Sequence, residues 1–255
     1  MIKETDKDKI IALPWIQMCQ EIEIPLDGND EKRSQIIHRQ EEVCKIMIHI
    51  CKETESVEIR YKKLKPAIDN GFAKALLHIF EKQELNTIST SHVQAFHTLT
   101  YYGSYNTLQQ IYNLGPYKGL IRLLDHSNTE VIEEVIQSIL HIISYGKDSV
   151  QDIRLPHPHY DEFDGRGGIT KLFALFKDNP NQTQRYYIAF CIGCIYRAQE
   201  VTNPEIKKDV FSYLKSILNT RIDNIKGGAL YALEGLIQNE VNKAEIQKEG
   251  FKVPE

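Results

Sequence analysis

Apolar and polar positions recur along this chain in one repeated order. A branched or aromatic residue is followed three or four positions later by Gly or Asp, and then by an apolar stripe at helical spacing. The copies stand at Ile68/Gly71, Ile111/Gly115, Phe163/Gly167 and Ile206/Asp209, and a further one begins at Ile246/Gly250. Consecutive anchors lie 44, 52, 42 and 41 residues apart, the period of stacked helical repeats. Five residues after the anchors stand Leu76, Leu120, Leu172 and Leu214; eight and nine after them stand Ile79/Phe80, Leu123/Leu124, Leu175/Phe176 and Ile217/Leu218. Such offsets predict a helix with one buried stripe. In the next predicted helix Leu99, Ile139, Ile192 and Leu233 align, each preceded by a small residue: Thr98, Ser138, Cys191 or Ala232. A small side chain there lets neighbouring helices approach, where bulk would hold the axes beyond about 8–10 Å.

The last full copy shows the unit most plainly. Val210, Leu214, Ile217 and Leu218 make one stripe; after the polar break at Arg221 to Asn224, a second is made by Ala229, Ala232, Leu233, Leu236 and Ile237. Each helix has one apolar stripe and needs a neighbouring repeat to cover its flank. The expected organisation is an N-terminal helix and polar loop over 1–33, then an array over 34–255. Its repeats fall near 34–70, 71–114, 115–166, 167–208 and 209–249, with a truncated start at 250–255. Ser34 to Lys52 reads as one helix with Ile37, Val43, Ile46, Met47 and Ile50 on its apolar side, the last helix of a degenerate first repeat. Asp6 to Glu23 reads as a helix broken near Pro14, and Pro25 to Lys32 as a polar loop. The 52-residue interval has a local cause: Pro156 and Pro158 cannot continue a helix, so Ile153 to Gly168 is expected to form a solvated loop.

Composition narrows the classes of function. With 42% apolar and 26% charged residues the chain is expected to fold. A net charge of −4 without a basic stripe argues against nucleic acid as the partner. The charged Met1 to Lys9 does not read as a targeting signal, and the longest apolar run, Ile188 to Tyr196, falls short of the roughly 20 residues that cross a bilayer. No membrane span or secretion is expected. Five cysteines, an odd number, point to reduced thiols in the cytoplasm or nucleus.

Candidate chemistry is sparse. Cys191-Ile-Gly-Cys194 has redox spacing but sits inside an apolar helix, where a thiol gains nothing from a helix N-terminus; it reads as core, as do Cys44 and Cys51. His157, His159, Asp161 and Glu162 could ligate a metal, but lack a spaced second pair and read as part of the solvated loop. Gly165-Arg166-Gly167-Gly168 fits neither phosphate-binding fingerprint and reads as a repeat corner. His38, His49, His78 and His126 read as surface or boundary residues. Glu41/Glu42 and Glu133/Glu134 read as solvated helix faces. No catalytic residue, metal or cofactor is expected.

The Ile-x-x-x-Gly entry, the stripe Leu120, Leu123 and Leu124, and the stripe Ala232, Leu233 and Leu236 together make residues 68–250 resemble armadillo repeats, with HEAT repeats the near alternative. The resemblance implies an all-α fold: a right-handed α-solenoid, or α-α superhelix. A short first helix would precede the Gly, and Asn106 to Asn113, Pro204 to Lys208 and Asn242 to Lys248 fit that place. Third helices would line a concave groove that binds extended peptides or partner proteins. By position its pairs are His97/Tyr101, Gln137/His141, Phe190/Cys194 and Tyr231/Gly235, which gives His97, Tyr101, Gln137, His141, Phe190 and Tyr231 as the partner-binding face. The other reading of Phe190 and Tyr231 is inter-repeat core. Armadillo proteins that carry nuclear-import cargo resemble one another in a ladder of Trp and Asn at these slots. This chain has neither there, its one Trp being Trp15, so import cargo is not implied and the lining suits apolar side chains. The expected function is a non-catalytic protein- or peptide-binding scaffold. The alternative is a structural segment of a larger repeat protein, whose uncapped C-terminal end packs on a partner. The oligomeric state is open.

Overall fold

The computed structural model describes residues 15–52, 57–150 and 152–254. The expectations for Met1 to Lys9, and for residues 6–14 of the first predicted helix, lie outside them. Among the described residues the chain is helical with no strand. It divides into two compact units, Met1–Ser138 and Ile139–Glu255.

The first unit contains α1 (Trp15–Ile22), α2 (Asp30–Lys52), α3 (Val57–Asp69), α4 (Phe72–Lys82), α5 (Thr90–Tyr101), α6 (Tyr105–Asn113) and α7 (Tyr117–Leu123). The boundary falls within α8 (Thr129–Ser149). The second unit continues through α9 (Tyr160–Gly165), α10 (Gly168–Asp178), α11 (Gln182–Ile195), α12 (Pro204–Ile217), α13 (Asp223–Leu236) and α14 (Glu240–Ile246). In the first, α4 packs on α1 and α7, and α2 packs on α5; in the second, α11 packs on α10 and α13. In the first unit, then, second helix stacks on second (α4 on α7) and third on third (α2 on α5); in the second unit third stacks on third (α11 on α13).

Glycine makes the corners. Gly71, Gly115 and Gly167 have φ of 88°, 68° and 75°, a region in which a Cβ crowds the backbone. Their amides donate to the carbonyls of Ile68, Tyr112 and Asp164 at 3.0, 2.9 and 2.7 Å, closing the first helix. Asp209 stands where the fourth glycine would be, and the break expected after Lys208 is absent. First and second helices run together as α12, begun by Pro204 in its first turn and by Asn203 Oδ1, which accepts from the amides of Glu205 and Ile206 at 2.9 and 3.3 Å.

The aligned apolar positions form the core. Leu76, Leu120, Leu172 and Leu214 are fully buried, as are Leu99, Ile139, Ile192 and Leu233; each such side chain stabilises the fold by roughly 1.5–3 kcal/mol. At the later offsets Leu175, Ile217 and Leu218 remain half-buried. The small slot behaves as its size requires: Thr98, Ser138, Cys191 and Ala232 are buried. The hydroxyls of Thr98 and Ser138 donate one turn back to Gln94 O and Glu134 O at 2.7 and 2.8 Å, so no polar group is orphaned. Beside Cys191, a Cβ on Gly193 would lie 2.8 Å from Ala232 Cβ, which shows how closely α11 and α13 approach.

Two expectations are corrected here. Helix α2 buries Ile36, Gln40, Val43, Cys44, Met47, Ile48 and Cys51, while Ile37, Ile46 and Ile50 are half-buried. The stripe is turned because Gln40, polar in sequence, is a core residue. Its Nε2 donates to Ile22 O and Ile24 O at 2.9 and 3.1 Å and so ends α1. The segment expected as a solvated loop is instead anchored in the core by its two histidines, while Arg154 to Pro156 and Pro158 stay exposed: His157 and His159 are only 2% and 1% exposed, and Tyr160–Gly165 forms α9, the first helix of its repeat. His157 Nε2 meets Ile143 O at 3.0 Å, and Gly146 leaves the room on α8 into which both imidazoles fit. Burial pushes His157 down to about 3 and His159 to about 4, so both rings are neutral near pH 7.

Candidate binding face on the third helices

In the first unit the face is built from α5 and the start of α8. One turn separates His97 from Tyr101 on α5, and their rings meet edge-on at 5.7 Å and 61°. His97 Nδ1 pairs with the Glu134 carboxylate of α8, to which Gln94 Nε2 also donates at 3.3 Å. Glu134, expected on a solvated face, is thus a mostly enclosed partner of His97. Tyr101 is held on its other side by Tyr102, at 4.6 Å and 78°. It is nevertheless 58% exposed, and Tyr105 close by in the chain is 49% exposed. Gln137 is half-buried one turn beyond Glu134. The result is an ordered aromatic ring in solvent against an imidazole that is itself paired with a carboxylate.

In the second unit the corresponding positions are occupied by the chain itself. His141 is half-buried. Phe190 is 8% exposed, with Tyr186 at 6.1 Å and a close approach to Gly228 of α13. Tyr231 is half-buried under Lys147, whose Nζ stands 4.5 Å from the ring centre. Their groove partners are closed as well: Cys194 is buried, and a Cβ on Gly235 would meet Arg197 Cγ at 3.2 Å.

At Tyr231 and Gly235 the closure is made by Arg197. It is fully buried just beyond α11. Nε donates to Leu155 O at 3.0 Å, Nη1 lies 3.3 Å from both Lys147 O and Val150 O and 3.4 Å from the Tyr231 hydroxyl, and Nη2 lies 3.3 Å from Pro156 O. Five donors in a rigid fork suit a guanidinium for gathering carbonyls that no helix satisfies. A lone Arg after an apolar helix carries no signal of this in sequence. The only hint was the insertion, whose exposed carbonyls require donors. Arg122 serves likewise in the first unit, donating to Phe80 O and Gln83 O at 2.8 and 2.6 Å to cap α4.

The cysteines are core elements. Cys44, Cys51, Cys191 and Cys194 are buried thiols; burial pushes Cys194 up to about 12 and raises Cys44 and Cys191 well above the usual thiol range. His38 and His78 are exposed and His49 half-buried, whereas His126 is buried with Nε2 2.8 Å from Leu85 O. Among the described residues no three His, Cys, Asp or Glu side chains gather as a metal site, and no helix is long and apolar enough to cross a membrane.

No family model and no curated protein matches the sequence. Solved structures do. The chain is similar to a designed armadillo repeat protein in complex with the peptide (KR)4, with a TM-score of 0.62 and 17% identity, covering 93% of this chain and 88% of that one. Computationally designed armadillo repeat proteins for modular peptide recognition give a TM-score of 0.60 at 16% identity, covering 92% and 88%. An engineered protein gives 0.58 at 15% identity, covering 92% and 93%. At such identities the likeness establishes the fold: an all-α solenoid of armadillo-type repeats.

Proposed function

We propose that this chain is a non-catalytic scaffold that binds an extended peptide or protein segment on its third-helix faces. The observation that carries the reading is Tyr101, whose ring is fixed by His97 and Tyr102 yet more than half exposed. An aromatic ordered before binding loses little entropy when a partner covers it, and such residues tend to dominate binding energy. The fold supports the same reading, because two of the similar structures are named for peptide recognition or solved with a peptide and repeated helices present equivalent positions along a surface.

On the first unit's face His97, Tyr101 and Gln137 are the direct contacts; on the second unit's face His141 is the direct contact, and Phe190 and Tyr231 are its packed backing. The test is selection of peptides from a displayed library on the purified protein, followed by affinity measurement on Tyr101→Ala with His141→Ala. The reading expects at least a tenfold loss, about 1.4 kcal/mol, with helical signal and melting temperature nearly unchanged. Selected peptides that bind the double variant as well as the parent would place the contact elsewhere.

A further inference from the structure

A second opening lies in the Ile139–Glu255 unit, built mainly on its second helices. Helices α10 and α12 and the first turn of α11 border an open cleft of about 550 Å3. Its floor is aromatic: Phe176 and Tyr213 meet edge-on at 5.4 Å and 79°, and the Tyr213 hydroxyl donates to Gln182 O at 3.0 Å. The Arg185 guanidinium lies against both rings, its carbon 4.7 Å from the Phe176 centre and 5.0 Å from that of Tyr213.

What sets Arg185 apart is what it lacks. Its Nε is shielded from solvent, and among the described residues the guanidinium makes neither a hydrogen bond nor an ion pair. Leaving a shielded cationic N–H without an acceptor is costly, and this chain avoids it elsewhere: Arg122 donates to two carbonyls and Arg197 to four. The aromatic contacts hold the fork in place but supply no acceptor. Arg185 is arranged for one that comes from outside.

Charge around the cleft selects its kind. Lys177 is already closed by Glu205 at 2.8 Å. Lys208 makes no ion pair among the described residues, and Asp209 is the one carboxylate in the lining. Two open cations facing one carboxylate leave a single positive charge, which one monoanion balances. A carboxylate matches that count and the planar guanidinium fork; a phosphate dianion would set an extra negative charge against Asp209.

We propose that this cleft is a docking site for an acidic side chain of a partner protein, its carboxylate bridging Arg185 and Lys208 above the Phe176 and Tyr213 rings. This goes beyond the third-helix reading, since it concerns another surface and another ligand chemistry. The test uses the isotopically labelled chain and acetyl-pentaglutamate amide as probe, following the Arg185 Nε–H resonance. The expected result is a saturable downfield shift. Arg185→Lys, which keeps the charge and loses the fork, should weaken the probe at least about tenfold. Lys208→Gln, an exposed change without a packing role, should weaken it by about threefold with the melting temperature unchanged. If Arg185→Lys fails to fold, Lys208→Gln alone decides. Absence of a saturable shift up to about 10 mM probe, equal affinity in the folded variants, or inorganic phosphate saturating the resonance at lower concentration than the peptide would each overturn the proposal.

Discussion

Arg197 and Leu155, 42 positions apart in sequence, are joined by a 3.0 Å hydrogen bond from a fully buried guanidinium to a carbonyl that no helix satisfies. The same fork holds Lys147, Val150 and Pro156. Arg197→Met would fill much of the volume but orphan these acceptors, so we expect a loss of about 3 kcal/mol or more in urea unfolding. Tyr231→Phe removes only one of the partners and should cost about 1 kcal/mol.

Acid should weaken the fold through the histidines beneath the inserted segment. The folded chain holds His157 and His159 at about 3 and 4, below the ordinary 6.5, mainly because burial disfavours their charged forms. Between those values and pH 6.5 the unfolded chain takes up protons that the folded chain refuses. Their contribution is therefore complete above pH 6.5 and is lost as pH falls. From pH 7 to pH 5 we expect about 2 kcal/mol lost for each, with His92, depressed to about 4 by burial, acting in the same direction. In a His157→Ala, His159→Ala variant the slope should shrink accordingly, and a slope equal to that of the parent would contradict the packing.

Two helix glycines should respond oppositely to alanine. Gly227, on an exposed part of α13, has nothing within 4 Å of a new Cβ, so Gly227→Ala should stabilise by about 0.5–1 kcal/mol through helix propensity. On α8, a Cβ on Gly146 would lie 2.6 Å from His159 Cε1 and 2.8 Å from His157 Cε1. Gly146→Ala should destabilise by about 1–3 kcal/mol despite the same propensity gain. Thermal melts of the two variants decide.

Leu233 and Ile139 occupy one slot of the repeat and are both fully buried. Leu233→Ala and Ile139→Ala should each cost about 2–5 kcal/mol in denaturant unfolding. Marginal effects at both would mean that the repeat is out of register.

The repeat frame was legible because burial imposes the same side-chain size at the same offset in every copy. Leu76, Leu120, Leu172 and Leu214 announce it without any need for tertiary information. What stayed hidden was polar chemistry placed in the core. Gln40, His157, His159 and Arg197 are residue types that usually face water; Gln40, His157 and Arg197 are buried here because they satisfy backbone groups, and His159 packs against the rings of Tyr145 and His157. Asp209 hid a lost corner for a different reason: aspartate is a common turn residue and a weak helix former, so it read as a stand-in for glycine, yet here it lies inside α12. On the candidate face, position alone put Tyr101 and His97 one turn apart on a single helix, but could not show that Glu134 engages His97 or that Lys147 and Arg197 cover Tyr231.

The most direct measurement places a photoreactive benzoylphenylalanine at Tyr101 and, in a separate variant, at the exposed His78 on the second helix α4, then irradiates each with a peptide selected on the parent protein. The account expects covalent adducts, mapped by mass spectrometry, from position 101 and none above background from position 78. Adducts from position 78 alone, or none from position 101 at saturating peptide, would contradict a third-helix binding face.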